Sequence, residues 1–244
     1  MTPVATARPK YRRVLLKLSG EAFGLGSGQG LDLAAIKEIA REVADLARAG
    51  VQMGVVIGGG NIVRGATLAR SGISVVAGDT MGMLATVING LAFQDVLEAK
   101  GVATRLQTAI PMHAVAEPFI RRRAMRHLEK GRVVIFAAGT GSPHFTTDTA
   151  AALRAREVGA DVLLKATNVD GVYSDDPNKN SRAKKFERLT YDDLIRGNLR
   201  VMDATAVTLC REGKLPIIVF NMGAPNSIRR AVAGKRVGTF IGAL

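Results

Sequence analysis

Cysteine is almost missing from this sequence. The single Cys210 has no partner for an internal disulfide, so the 244 residues must rest on one hydrophobic core. Cys210 closes the apolar stretch 206–210, which predicts a buried core thiol rather than a reactive one. Tryptophan is absent and aromatics are only 5% of residues, which argues against a base-stacking platform for nucleic acid. Long apolar runs are missing as well. The longest stretches free of Asp, Glu, Lys and Arg are 15 residues, at 80–94 and 133–147, shorter than the roughly 20 that a membrane-spanning helix needs. Residues 1–13 are basic but lead into no apolar core with a cleavage site, so secretion is not expected and a cytoplasmic location is the default. Acidic residues are scarce beside basic ones, 21 against 34, for a net charge of +13. Such a surplus favours anionic partners, whether phosphorylated small molecules, nucleic acid or an acidic surface.

Several familiar sites are lacking too. There is no G-x-x-x-x-G-K-[ST] phosphate loop, no G-x-G-x-x-G dinucleotide fingerprint and no G-x-S-x-G nucleophile elbow. The three histidines, His113, His127 and His144, are scattered and lack zinc spacing, so no protein-held metal is expected. His113 and His127 read as structural or surface residues.

What is present is an alternation of strand and helix patterns in a chain of ordinary globular composition, 47% hydrophobic and 23% charged. Apolar runs at 14–18, 52–57, 102–106, 133–137, 161–166 and 216–220 read as strands. Asp32 can cap a helix in which Leu33, Ile36, Ile39, Ala40, Val43, Leu46 and Ala47 recur at helical spacing. Further helical patterns follow Asp79 and cover 117–129, 148–158, 204–212 and 226–232. The alternation predicts an α/β fold, a three-layer αβα sandwich with a mainly parallel central sheet. No linker interrupts it, so residues 11–244 read as a single domain with two lobes after a basic tail over 1–10.

Glycine-rich junctions stand at the ends of these strands, where ligands bind in open α/β sheets and free backbone N–H groups attract phosphate. The first is Lys17-Leu18-Ser19-Gly20. A lysine in an apolar strand either reaches solvent at a sheet edge or aims its ammonium at an anion. The second is Gly58-Gly59-Gly60-Asn61-Ile62-Val63-Arg64-Gly65, three glycines and then an arginine whose planar fork suits phosphate. The third, Gly139-Thr140-Gly141-Ser142-Pro143-His144-Phe145-Thr146-Thr147-Asp148, offers small hydroxyls before a helix that Thr147 or Asp148 can also cap. The fourth runs through Thr167, Asn168, Val169, Asp170, Gly171, Val172 and Tyr173 to Asp175 and Asp176, either an ordinary turn or a cradle for a base or ribose.

Taken in order, these junctions, with Asp79-Thr80-Met81-Gly82-Met83-Leu84-Ala85-Thr86 and Val201-Met202-Asp203-Ala204, resemble the amino acid kinase superfamily and, within it, the bacterial uridylate kinase family. The resemblance runs from about residue 11 to 242, and 55–65 with 81–86 is its most specific part. It implies transfer of the ATP γ-phosphoryl group to UMP, giving UDP and ADP, with Mg²⁺ bound through the ATP phosphates. It also implies a homohexamer that responds to GTP and UTP. On this sequence, Lys17, Leu18, Ser19 and Gly20 would meet ATP phosphates, with Gly60 and Arg64 on the ATP side. Gly59 would lie on the UMP side and Asp79 would hold the UMP ribose. Thr140, Gly141, Ser142, Pro143, His144, Phe145, Thr146 and Thr147 would line the UMP site. Thr167, Tyr173 and Asp176 would hold adenosine, with Asn168 beside them. Leu25, Gly26, Ser27, Gly28, Gln29 and Gly30 correspond to the region of the GTP response. His144 stands where the family pattern has an aromatic residue, and Asn168 where lysine is common.

Lys17 is then the cation for the transferred phosphoryl group, with Asp148 as an orienter rather than a base, since the UMP phosphate is already ionised. Asp203 has either a similar role or that of a helix cap. Three other readings stand against this one, and the presence of Lys17 and Asp148 counts against the first, a non-catalytic nucleotide sensor on the same fold. A kinase of carboxylate substrates is disfavoured by Asp79, whose charge repels an anionic acceptor. A nucleic-acid-binding protein is suggested by +13, but the basic clusters 8–13, 121–126, 182–185 and 229–236 are dispersed in sequence and no recognition motif accompanies them.

Overall fold

The computed structural model describes residues 9–26, 28–64, 72–177, 179–199 and 201–243. Most of the tail expected over 1–10 lies outside these, as do Ser27 and Gly65. The strands are β1 (Arg13–Leu18), β2 (Gln52–Ile57), β3 (Thr104–Thr108), β4 (Glu117–Pro118), β5 (Val133–Ala137), β6 (Val162–Thr167), β7 (Val172–Tyr173), β8 (Lys185–Phe186), β9 (Arg188–Leu189), β10 (Ile217–Asn221) and β11 (Gly238–Ile241). The helices are α1 (Leu33–Arg48), α2 (Val75–Ala99), α3 (Arg121–Glu129), α4 (Thr147–Val158), α5 (Tyr191–Arg196), α6 (Ala204–Glu212) and α7 (Ser227–Val232). A 3₁₀ turn covers Gly20–Phe23.

Nine strands form one sheet in the order β4-β3-β5-β2-β1-β6-β10-β11-β9, and β7 pairs with β8 apart from it. Within the large sheet only β10 and β11 run antiparallel. Strands buried on both faces read as continuous apolar runs, which is why RVLLKL and QMGVVI carry no polar alternation. Alternate side chains still separate into two layers. Val14, Leu16 and Leu18 join the core under α1, α2 and α7, whereas Leu15, with Leu163 from β6, joins the core under α3, α4 and α6. The αβα arrangement is thus the predicted one.

The main elements fall within about two residues of their predicted bounds, with three differences. The predicted helix over 117–129 begins only at Arg121, because Glu117 and Pro118 pair with Gln107 and Thr108 as an edge strand. His127, on that helix, is buried and bonded to Glu117, so it is structural. α2 begins at Val75, four residues before Asp79, and is capped by Ser74, whose Oγ accepts from Ala77 N–H. α4 is capped by Thr146, which accepts from the N–H groups of Asp148 and Thr149, and not by Thr147 or Asp148. The two-residue strands and β11 are too short or too mixed to carry a periodic signal. Cys210 is fully buried, and burial pushes its thiol up to about 12, which makes it an inert core residue.

α2 is long and apolar enough to cross a membrane by length and composition alone, with a mean hydropathy of 1.4. It packs instead along the sheet. Phe93 and Leu97 are fully buried, and Thr86 and Asn89 turn inward to hydrogen-bond partners. Its outer face carries Met81, Leu84, Ile88 and Leu91, all exposed and spaced at i, i+3, i+7 and i+10.

The β7–β8 pair crosses the top of β11. Thr239 is completely buried there, and its Oγ1 accepts from Val172 N–H at 2.8 Å and donates to Phe186 O. Thr239→Val keeps the shape but strands both backbone groups, so it should cost about 1–3 kcal/mol in urea unfolding. An unfolding midpoint equal to that of the parent would mean that the hairpin is held some other way.

Candidate active site

Lys17 and Lys165 are register partners on the adjacent parallel strands β1 and β6. Leu15 and Leu163 precede them by two residues in the layer under α4, so both lysines point to that layer. The first turn of α4 brings Asp148 between them. Lys17 Nζ lies 3.0 Å from Asp148 Oδ1, and Lys165 Nζ donates to Asp148 Oδ2 in a very short contact. All three side chains are nearly buried, at 11%, 10% and 14% exposure. Burial pushes the Asp148 carboxyl up, but the two ammonium charges outweigh it and hold the group below the ordinary carboxylate value. Burial pushes Lys165 below the ordinary lysine value; Asp148 opposes this and Lys17 adds to it. Two cations share the one carboxylate they touch, Asp148, and Asp203 is a second carboxylate close enough to favour the charged form of Lys165. The Lys17 contact lacks hydrogen-bond alignment, so Asp148 Oδ1 is a buried acceptor with Coulombic but no directional satisfaction.

Asp203 stands behind this cluster. It caps α6 by accepting from Ala206 N–H at 2.9 Å, and it also accepts from Thr149 Oγ1 at 2.8 Å and Thr146 Oγ1 at 2.5 Å. The cap reading therefore holds, and the same carboxylate fixes the start of α4 on which Asp148 rides. Among the described residues no group of three or more Asp, Glu, His or Cys is placed to hold a metal ion. Asp148 is already committed to two lysines, which makes it a poor cation ligand.

Two cavities flank the N-terminus of α4. One, of about 500 Å³, is lined by Asp148, Lys165 and Asp203 on one side and by Leu194, Leu199, Val201 and Met202 on the other. The second, a cleft of about 140 Å³, is lined by Gly59, Gly60, Asp79, Ser142, Phe145 and Thr147 among others. It thus collects residues from two separate junctions and from the motif that begins at Asp79. Asp79 sits in the second turn of α2 and its Oδ2 accepts from His144 N–H at 2.8 Å. With Ser74 as the cap, Asp79 is not needed to start the helix. His144 holds φ at 69° and Gly141 at 85°, the bends that wrap 139–146 back against α2.

The glycine junction is built differently from its sequence reading. A Cβ on Gly59 would meet Gly82 O at 2.6 Å, and one on Gly58 would meet Gly20 N at 2.8 Å, so these two glycines let backbones touch. Only Gly60 faces open space. Behind the loop, Asn61 and Asn89 form a buried pair. Asn89 Nδ2 donates to Gly58 O and Asn61 Nδ2 to Gly30 O. Lys165 and this asparagine pair are the site residues that sequence reasoning missed. Lys165 had a visible signal, a lysine in the apolar run VLLKAT, and the argument made for Lys17 applies to it unchanged.

Other predicted residues lie around this centre. Arg64 pairs with Glu21 at 2.6 Å. Leu25, Gly28 and Gln29 form a tight turn, and a Cβ on Gly28 would lie 3.7 Å from Arg64. Gly26 faces open space. Thr167 closes a turn on Val169, and Tyr173 donates to Asp170 at 2.6 Å. Asn168, Tyr173 and Asp176 line neither cavity.

A mainly parallel α/β sheet with buried lysines and glycine turns at its strand ends suits a phosphotransferase, and the chain belongs to the amino acid kinase family, whose pattern residues 12–221 match. It is similar to the solved UMP kinase of Bacillus anthracis at 43% identity, with 95% of this chain and 96% of that one covered and a TM-score of 0.92. The UMP kinase of Ureaplasma parvum matches at 35% identity, over 96% and 100% of the two chains, with a TM-score of 0.91. The uridylate kinase of Archaeoglobus fulgidus matches at 31%, over 94% and 99%, with a TM-score of 0.72.

Asp148→Asn should destabilise the protein by about 3–5 kcal/mol at neutral pH, the scale of breaking a buried pair and leaving its partners charged. The pH dependence has a definite sign. Without Asp148, burial and Lys17 push Lys165 further down, and a lysine that gives up its proton on folding makes the fold more stable as pH rises. Urea unfolding of Asp148→Asn at pH 6 and pH 9 should show recovery at the higher pH. No destabilisation, or a loss that deepens with pH, would contradict the charge assignment.

Proposed function

We propose that this chain transfers the γ-phosphoryl group of ATP to UMP, releasing ADP and UDP for pyrimidine nucleotide biosynthesis. The observation that carries the reading is the pair of nearly buried ammoniums, Lys17 and Lys165, held on Asp148 beside two cavities, with Asp79 lining the smaller one. A UMP phosphate oxygen attacks the γ-phosphorus, and the bond to the β–γ bridging oxygen breaks. Negative charge spreads over the equatorial oxygens in between. Lys17 and Lys165 supply cations aimed at that charge, and Asp148 holds both ammoniums in place without taking a proton. Mg²⁺ arrives as part of the MgATP substrate, in keeping with its preference for phosphate oxygens over protein cages.

In this reading Lys17, Leu18, Ser19, Gly20, Gly60 and Arg64 cradle the ATP phosphates. Thr167, Asn168, Tyr173 and Asp176 hold adenosine. Gly59, Asp79 and the loop from Thr140 to Thr147 hold UMP. Residues 11–244 then work as one domain, with a UMP lobe around β2 and β5 and an ATP lobe around β6 and β10. The exposed apolar stripe Met81, Leu84, Ile88 and Leu91 favours self-association, in keeping with a cytoplasmic homohexamer. GTP and UTP act as effectors, the former through residues 25–30. An amino-acid kinase activity is disfavoured by Asp79, which suits a pair of ribose hydroxyls and repels a carboxylate.

A coupled assay of ADP release with UMP, CMP, dUMP and several amino acids as acceptors tests the reading, and UMP should give the highest kcat/KM. A higher value for any amino acid would overturn it. Asp79→Asn keeps an acceptor for His144 N–H but loses the charge, so kcat/KM for UMP should fall roughly 10- to 150-fold, mostly through KM. The preference for UMP over dUMP should narrow as well. Unchanged KM and unchanged discrimination would take the ribose away from Asp79.

A further inference from the structure

Three of the four basic clusters that look dispersed in the sequence converge in space. Lys10 precedes β1, Lys185 lies on β8, Arg188 on β9 and Arg230 on α7, with Lys235 and Arg236 in the connection to β11. All six line one groove of about 600 Å³. Its floor is Ile218 and Phe240 on the layer of the sheet under α7, away from the layer that holds Lys17, Asp148 and Lys165. Two carboxylates reach its cations among the described residues: Asp170 pairs with Lys185 at 2.7 Å, and Glu187 pairs with Arg236 at 3.6 Å on the open surface. Lys10, Arg188, Arg230 and Lys235 have no carboxylate within 4.0 Å among those residues.

Two of the cations, Lys10 and Arg188, are also held in place. Lys10 N–H donates to Val232 O, and the Lys10 stem lies on Gly234, where an added Cβ would meet Lys10 Cδ at 2.5 Å. The Lys10 ammonium sits 5.3 Å from the Tyr11 ring and the Arg188 guanidinium 4.8 Å from the Phe240 ring. Stacking occupies the face of Arg188 and leaves its N–H donors uncommitted. Gathering this many like charges in one groove costs energy, a cost that an anion of several charges would relieve. The volume suits a nucleotide-sized molecule. A nucleic-acid strand would call for free aromatic faces along a track, and the two rings here, Tyr11 and Phe240, are each covered by a cation.

We propose that this groove binds a small polyphosphate anion, the chemistry shared by inorganic polyphosphates and nucleoside triphosphates, at a second site separate from the Lys17 cluster. Calorimetric titration of the full chain with inorganic tripolyphosphate and, separately, with CTP distinguishes the two sources. Equal affinities mean that charge alone is read, and tighter CTP means that the nucleoside contributes. In Arg230→Glu/Lys235→Glu both should weaken at least about tenfold, the scale of one charged hydrogen bond, and ADP release from ATP and UMP should be unchanged. Lys17→Ala should leave this binding intact while lowering turnover, which separates this site from the proposed activity. Lys235→Glu alone, at an exposed position, serves if the double variant fails to fold. The proposal is overturned if the parent binds neither anion, if the groove variants titrate like the parent, if only Lys17→Ala weakens binding, or if a single-stranded oligonucleotide binds the groove more tightly than either anion.

Discussion

Two lysines on neighbouring strands with a single carboxylate between them are the constraint on which this structure turns. Register alone would set Lys17 and Lys165 side by side inside a layer of leucines and alanines, where like charges repel and each ammonium loses its hydration. Asp148 makes the arrangement tolerable by touching both ammoniums, and Asp203 adds a second carboxylate that favours the charged form of Lys165. The two ammoniums are thereby held at the place where β1 and β6 end and α4 begins. The neighbourhood keeps Asp148 there. Thr146 caps α4, Asp203 accepts from Thr146 and Thr149, and α6 in turn starts on Asp203.

The cleft lined by Gly59 and Asp79 depends on close backbone approach instead of charge. Gly58 and Gly59 let β2 end against the 3₁₀ turn after β1 and against α2, and the Asn61–Asn89 pair locks that contact in the core. The loop 139–146 closes over it by bending at glycines and at His144, where Asp79 accepts the backbone N–H. Rigid backbone and one well-placed carboxylate are suited to orienting a sugar hydroxyl pair, as the buried cations are suited to a phosphoryl group.

Much of this was legible in the sequence. The αβα layering followed from apolar runs alternating with amphipathic stretches, and the 52–57, 133–137 and 204–212 elements sit at their predicted bounds. Lys17 stood out because a charge in an apolar strand is costly without a role, Asp148 by its place at a predicted helix start after a glycine-rich junction, and Asp79 through the family resemblance. What was not legible depended on tertiary pairing. The edge strand at Glu117 exists because β3 lies beside it. The start of α2 was hidden by Gly78 and Asp79, which resemble a helix boundary but lie inside one whose cap is Ser74. Asp203 read as either a cap or a site residue, and it caps α6 while bracing α4. Lys165 carried the same signal as Lys17 but stood in no glycine motif. The basic clusters looked scattered because only the fold brings Lys10, Lys185 and Lys235 to one groove.

The most direct test of the paired-lysine centre is steady-state kinetics of Lys165→Ala and Lys17→Ala with ATP and UMP, beside calorimetric binding of both nucleotides. If both ammoniums act on the transferring phosphoryl group, each variant should lose on the order of 10²–10⁴ in kcat while nucleotide affinity changes little. A kcat within about threefold of the parent for either variant, on the scale of those same losses, would contradict a two-cation centre.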